Sequence, residues 1–236
     1  MARIGLCMIV RNEAALIERC LASALPLIDY AYVVDTGSDD DTVIVAQRFF
    51  KKHGIAHDIH CDTRRDFADS RNAAVEWMRH RSEVDYCLVL DADNVVRLEN
   101  GFDIRKFKDE MLLDVYDVRL CREDAEYHGP FLFENTLGCY YRGKLYGFLV
   151  VPAQATRSKV KGFDLIVSKD HYRDPRTYLD DARQIEEVLR DETDSFMCSR
   201  YSFYLGYCYM HGGEFKRAMR AFFRGCDMAA RIKSCL

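Results

Sequence analysis

Asp91-Ala92-Asp93 directly follows residues 86–90, a short apolar run that reads as a buried strand. Two carboxylates two residues apart at a strand end project to the same side. Oxygen donors of that kind suit a hard divalent cation, Mg²⁺ or Mn²⁺, which such sites commonly share with substrate phosphates. The cation neutralises a diphosphate leaving group. An isolated D-x-D is more often a solvated turn, because Asp and Asn are ordinary turn residues. This one has company. Asn12 and Asp35 also fall just after apolar runs, and a carboxylate such as Asp35 can accept hydrogen bonds from a base or a ribose. Arg71, with Asn72 beside it, can grip a phosphate as a forked donor. The chain has no P-loop and no G-x-G-x-x-G, which argues against a Walker-type ATPase and a dinucleotide enzyme.

The elements that must position these groups alternate. Residues 6–10, 30–34, 56–61 and 86–90 read as strands, the first and last apolar throughout. Between them, residues 16–24, 42–52 and a stretch following Arg65-Asp66-Phe67 show helical spacing, with Asn12 expected to cap the first helix and Pro26 to stop it. Such alternation predicts βαβ units and a parallel sheet covered on both faces, with ligands at the carboxyl ends of the strands. After residue 100 the pattern changes. Residues 115–121 read as a strand, and 127–151, rich in Tyr, Phe and Gly, as strands and loops. Helices are expected over 176–190, 199–211 and 214–232, with Gly212-Gly213 as a turn.

Composition narrows the class. The 236 residues carry 34 Lys+Arg and 38 Asp+Glu, a net charge of −4, with 49% hydrophobic and 12% aromatic residues. So many apolar and aromatic residues exclude a disordered chain, and the mild acidity argues against nucleic acid as the main partner. No apolar run approaches the ~20 residues of a membrane span, and the start does not read as a signal peptide. The 10 cysteines are irregularly spaced without a C-x-x-C, so they read as reduced thiols of a cytoplasmic protein. His53, His57, His60 and Cys61 lie close in sequence, yet a helix end and a strand would scatter them, which argues against zinc.

Four segments in order carry a resemblance: Cys7-Met8-Ile9-Val10-Arg11-Asn12-Glu13, Val33-Val34-Asp35-Thr36-Gly37-Ser38-Asp39-Asp40-Asp41-Thr42, Asp66-Phe67-Ala68-Asp69-Ser70-Arg71-Asn72 and Leu90-Asp91-Ala92-Asp93. The chain resembles the family 2 glycosyltransferases of GT-A fold, in particular a subgroup with C-terminal tetratricopeptide-like helices. The resemblance implies an α/β Rossmann-like sheet, a nucleotide-sugar donor (UDP-linked favoured), Mn²⁺ or Mg²⁺, and transfer of a hexose with inversion. It implies that Asp35 contacts uracil or ribose and Arg71 the base or diphosphate. Asp91 would reach ribose or metal, Asp93 would be the direct metal ligand, and Val10, Arg11, Asn12, Glu13 and Ala92 would lie along the nucleotide. His171, in Asp170-His171-Tyr172, falls where relatives often carry a late His that completes the metal shell.

The acceptor side departs from the pattern. Where relatives often have a V-H-E-like segment, this chain reads Arg142-Gly143-Lys144-Leu145-Tyr146-Gly147. Inversion calls for a carboxylate to take the acceptor proton; Glu123, Asp124 and Glu134 are candidates of equal merit. The expected layout is a glycosyltransferase domain over 1–172 (donor half 1–100, acceptor half 101–172) and a helical appendage over 173–236. Residues 200–206 and 213–219 resemble one tetratricopeptide-type hairpin, whose outer face would dock on the main domain or pair two subunits. The sequence stops at Leu236 where a further helix would be expected, as in a truncated chain or an unusually short tail. The acceptor is expected to be a saccharide, a lipid or a protein side chain. The competing readings are a non-catalytic nucleotide-sugar-binding or scaffold protein of the same fold, and a nucleotidyltransferase.

Overall fold

A computed structural model describes residues 1–62, 67–122, 125–167 and 174–233. They form two units, Met1–Arg142 with Phe148–His171, and Gly143–Gly147 with Tyr172–Leu236. The first unit opens as an alternation: β1 (Ile4–Val10), α1 (Ile17–Ala24), β2 (Tyr30–Asp35), α2 (Thr42–His53), β3 (Ala56–Cys61), α3 (Phe67–Arg79) and β4 (Tyr86–Val89). It continues through β5 (Asn94–Leu98), α4 (Ile104–Asp109), β6 (Val115–Cys121), β7 (Glu126–Glu134), β8 (Tyr140–Arg142), β9 (Phe148–Val150) and β10 (Arg157–Val167).

The main sheet runs β3-β2-β1-β4-β7-β6-β10-β5. β1, β2, β3, β4, β6 and β10 point one way, while β7 and β5 run against them. The fold is therefore the expected mostly parallel α/β sheet, with one antiparallel strand inserted in its middle. β2 and β4 are buried at every position, as befits strands covered on both faces. Alternation along β1 divides the core: Leu6, Met8 and Val10 pack on one side with α1 and α2, and Cys7 lies on the other with α3.

Local chemistry sets the boundaries. Gly54 ends α2 in the left-handed conformation at φ 67°. Gly162, at φ 105°, sits in the register shift of β10, where a Cβ would run into the Phe102 ring. No helix among the described residues is long and apolar enough to cross a membrane.

The second unit holds α5 (Pro175–Asp191), α6 (Ser195–His211) and α7 (Phe215–Lys233). Asp174 and Asp194 cap the first two by accepting from the backbone N–H of Arg176 and Met197. α6 starts at Ser195, earlier than expected, because Asp194 supplies that cap. The loop Gly143–Gly147 joins this unit: Tyr146 stacks on Tyr204 at 4.4 Å and its hydroxyl donates to Asp181 at 2.8 Å.

Candidate active site

Val10, Asp35 and Asp91 end up at one edge of the first unit, at the carboxyl ends of β1 and β2 and just past β4. Two loops meet there and lock. The Asn12 N–H donates to Ser38 Oγ at 2.9 Å, and its side-chain carbonyl accepts from the Asp39 N–H at 2.9 Å. Glu13 N–H donates to Thr42 Oγ1 at 2.7 Å, and Ala14 N–H to Asp40 at 3.1 Å. Asn12 takes φ 56° to do this, a conformation Asn tolerates better than most residues. It is a latch between loops, and not the expected helix cap; α1 begins at Ile17 with no side-chain cap.

Asp35 is 3% exposed, and its carboxylate faces its own loop. It accepts from Ser38 N–H at 3.1 Å, Ser38 Oγ at 2.5 Å and Gly37 N–H at 3.3 Å. The expected contact with a base or ribose therefore meets a carboxylate already occupied in shaping the turn. Val10 is buried and accepts from Thr36 N–H at 2.9 Å, whereas Arg11 is exposed.

Residues 91–94 form a turn closed by Asn94 N–H donating to the Asp91 carbonyl at 2.9 Å. Asn94, 4% exposed, accepts from the Asp91 N–H at 3.0 Å and donates from Nδ2 to Asp93 Oδ1 at 2.9 Å. The buried Cys20 thiol donates to the Asp91 carbonyl at 3.4 Å. Burial, with Asp91 and Asp93 nearby, pushes that thiol far above its ordinary pKa, so it stays protonated. Ala92 is buried under the turn, Asp93 half-buried and Asp91 exposed.

Arg71, 5% exposed, reaches Asp91 Oδ1 with Nη2 and lies 5.4 Å from the centre of the Tyr141 ring. Burial alone would lower its pKa, but Asp91 outweighs it and the guanidinium stays charged. Asn72 takes Tyr141 by both backbone groups, accepting from its N–H at 2.5 Å and donating to its carbonyl at 2.8 Å. Helix α3 thus sends one residue to the acidic turn and the next to β8.

Asp91 and Asp93 are oxygen donors of the type a hard cation takes. With Arg71 on Asp91 and Asn94 on Asp93, few protein oxygens remain, which fits a cation that draws most of its shell from phosphate and water. Among the described residues no group of three or more His, Cys, Asp or Glu side chains gathers as a metal shell. His171, Glu123 and Asp124 lie outside the described residues, as does Asp66. Glu134, the third candidate base, pairs with Tyr86, at the start of β4, and accepts from Thr136. That places it about 16 Å along the strand from Asp91, at the opposite edge. His53 lies against Phe49 and His57 against Phe50, away from any shared ligand point.

Sequence reading missed Asn94, Cys20 and Tyr141. The signal for Asn94 was its adjacency to the acid pair. Nothing in the sequence marks Tyr141.

A mostly parallel sheet whose carboxyl edge carries the buried Arg71 on the exposed Asp91, beside two interlocked loops, has the layout of a ligand-binding α/β domain. Residues 6–121 match the model of Glycosyl transferase family 2. A TPR repeat-containing protein of Synechococcus elongatus is 40% identical over 110 residues, which is 47% of this chain and 25% of the relative. The chain thus matches about a quarter of that relative's length. Among solved structures, TarS 1-349 of S. aureus in complex with UDP aligns with TM-score 0.53 and 14% identity, covering 87% of this chain and 70% of that one. The longer TarS structure aligns with the same TM-score over 90% of this chain and 44% of its own. At that identity the likeness is one of fold.

Proposed function

We propose that this chain is a metal-dependent, inverting glycosyltransferase that moves a hexose from a nucleoside diphosphate sugar, UDP-linked, to an acceptor nucleophile. The observation that carries this is the acidic turn: Asp93 is aimed by Asn94, and Asp91 is held by the buried Arg71, at the strand edge. Asp93 and Asp91 would hold the divalent cation, which when bound neutralises the diphosphate so that it can leave. Mg²⁺ and Mn²⁺ both suit this oxygen set. Arg71 contributes fixed positive charge beside the diphosphate, oriented in advance by its two partners. The interlocked loops at 10–14 and 36–42 give the nucleotide a preformed wall, and Asp35 acts through that wall by fixing its turn. Among the acid candidates for proton removal from the acceptor, Glu123 and Asp124 remain; they follow β6 in sequence.

Calorimetry with UDP and Mn²⁺, paired with a UDP-release assay on UDP-glucose, tests the reading. Asp93→Ala is expected to abolish metal-stimulated release and to weaken UDP binding only where Mn²⁺ is present. Unchanged release in that variant overturns the metal assignment, and UDP binding with no release or transfer in the native protein favours a scaffold.

A further inference from the structure

Beyond the acidic turn, the second half of the sheet carries a row of charges that donor binding does not use. Register pairs Arg97 of β5 with Asp164 of β10, Asp164 with Arg119 of β6, and Arg119 with His128 of β7. Residues paired across strands share a face, so these four side chains stand side by side. Their strand neighbours Val96, Val118, Leu120 and Leu165 point the other way, into the core.

Arg119 forks onto Asp164 through Nε at 2.8 Å and Nη2 at 2.7 Å, and Arg97 Nη2 donates to the same carboxylate at 2.9 Å. Asp164 is buried, yet the Arg97 side chain is 59% exposed, Arg119 37%, and His128 is exposed. The ratio of charges matters. Arg157 and Asp117, bridging β10 and β6, cancel one for one. Here two guanidinium groups share one carboxylate. Glu126 stands 3.8 Å from Arg119, beyond hydrogen-bond distance, and leaves the fork to Asp164. The result is positive charge turned toward solvent on planar forks that a buried acid holds in orientation. Arg97 lies three residues after Asn94, and Asp164 three before Val167, so the row sits about 10 Å in from the edge that carries Asp93.

We propose that this row is an acceptor subsite for an oxyanion, phosphate or carboxylate, carried by the sugar acceptor. Arg97 and Arg119 bind the anion, and Asp164 keeps their forks aligned. The proposal rests on the glycosyl-transfer reading, since an acceptor held here is one that approaches the donor edge along this face.

The test keeps the two apart. Inorganic phosphate is titrated into the full chain already saturated with UDP and the diamagnetic Mg²⁺, with arginine Nε–Hε resonances as the readout. Arg97 and Arg119 signals are expected to move together. Arg97→Gln, which leaves the Arg119–Asp164 fork in place, is expected to weaken phosphate binding about tenfold while UDP affinity changes less than about twofold. In UDP-release assays, glucose 6-phosphate and glucuronate are expected to outperform glucose, and Arg97→Gln to remove most of that advantage. Phosphate binding that is absent, or equal in the native protein and Arg97→Gln, overturns the subsite, as does glucose performing as well as its anionic derivatives. Should UDP itself fail to bind, the donor reading falls, and the phosphate titration without UDP still decides the row.

Discussion

The two halves of the first unit hold their charged groups by opposite means. In the donor half, polar side chains are aimed by backbone: Asn12 at Asp39, Asp35 at Gly37 and Ser38, Asn94 at Asp91. The arginine that matters, Arg71, is buried. In the other half, arginines stand on strand surfaces and are aimed by side-chain acids, Arg97 and Arg119 by Asp164. A site whose groups are fixed by main chain is suited to one ligand shape, whereas one built from surface side chains changes ligand with a few substitutions. Under the proposed function, the first kind of site would hold the nucleotide and the second the acceptor.

The sharpest way to break the comparison is Arg71→Met, which keeps volume and removes charge. UDP release is expected to fall about a hundredfold or more, while stability falls by only about 1 kcal/mol, because exposed Asp91 regains water. A large stability loss in urea unfolding with intact turnover would show that the pair is structural. In the other half, Gly162→Ala is expected to cost about 2 kcal/mol by chemical denaturation, since the left-handed backbone and the Phe102 ring both oppose a methyl. Asn94→Ala should raise the Mn²⁺ concentration for half-maximal release by about tenfold and cost about 1 kcal/mol; an unchanged metal requirement would remove Asn94 from the site.

The smallest effect is in acid. Hydrogen bonding from Arg119, opposed by burial and helped by Arg97, holds Asp164 below its ordinary 3.8. Its contribution is therefore present above that value and is lost only as pH falls through the lowered one. Asp164→Asn should flatten that part of the acid-unfolding curve, and an unaltered curve would show that the arginines are held some other way.

Much of the donor half was legible because its signals are local. Apolar runs gave β1, β2 and β4, and β3 falls on the expected residues 56–61. Placing Asp91 and Asp93 required only that β4 end where its apolar run ends. The rest depends on long-range pairing. β7 slots between β4 and β6, and β5, too short and mixed to stand out, borrows its order from β10. Alternation along β10 is interrupted by the Gly162 bulge, which hides that strand from a period-two reading. Arg97, Asp164 and Arg119 come from three distant segments, so no spacing rule joins them.

Asn72 has one more consequence, for how the unit opens. Its amide closes both backbone groups of Tyr141 across 69 residues of sequence, so the β8 end of the small hairpin is sealed by α3. The Tyr141 amide hydrogen exchanges only when its bond to Asn72 opens, and Asn72 stands on α3, which packs on β1 and β2. A short surface ribbon that would ordinarily fray by itself shares the opening free energy of the central sheet.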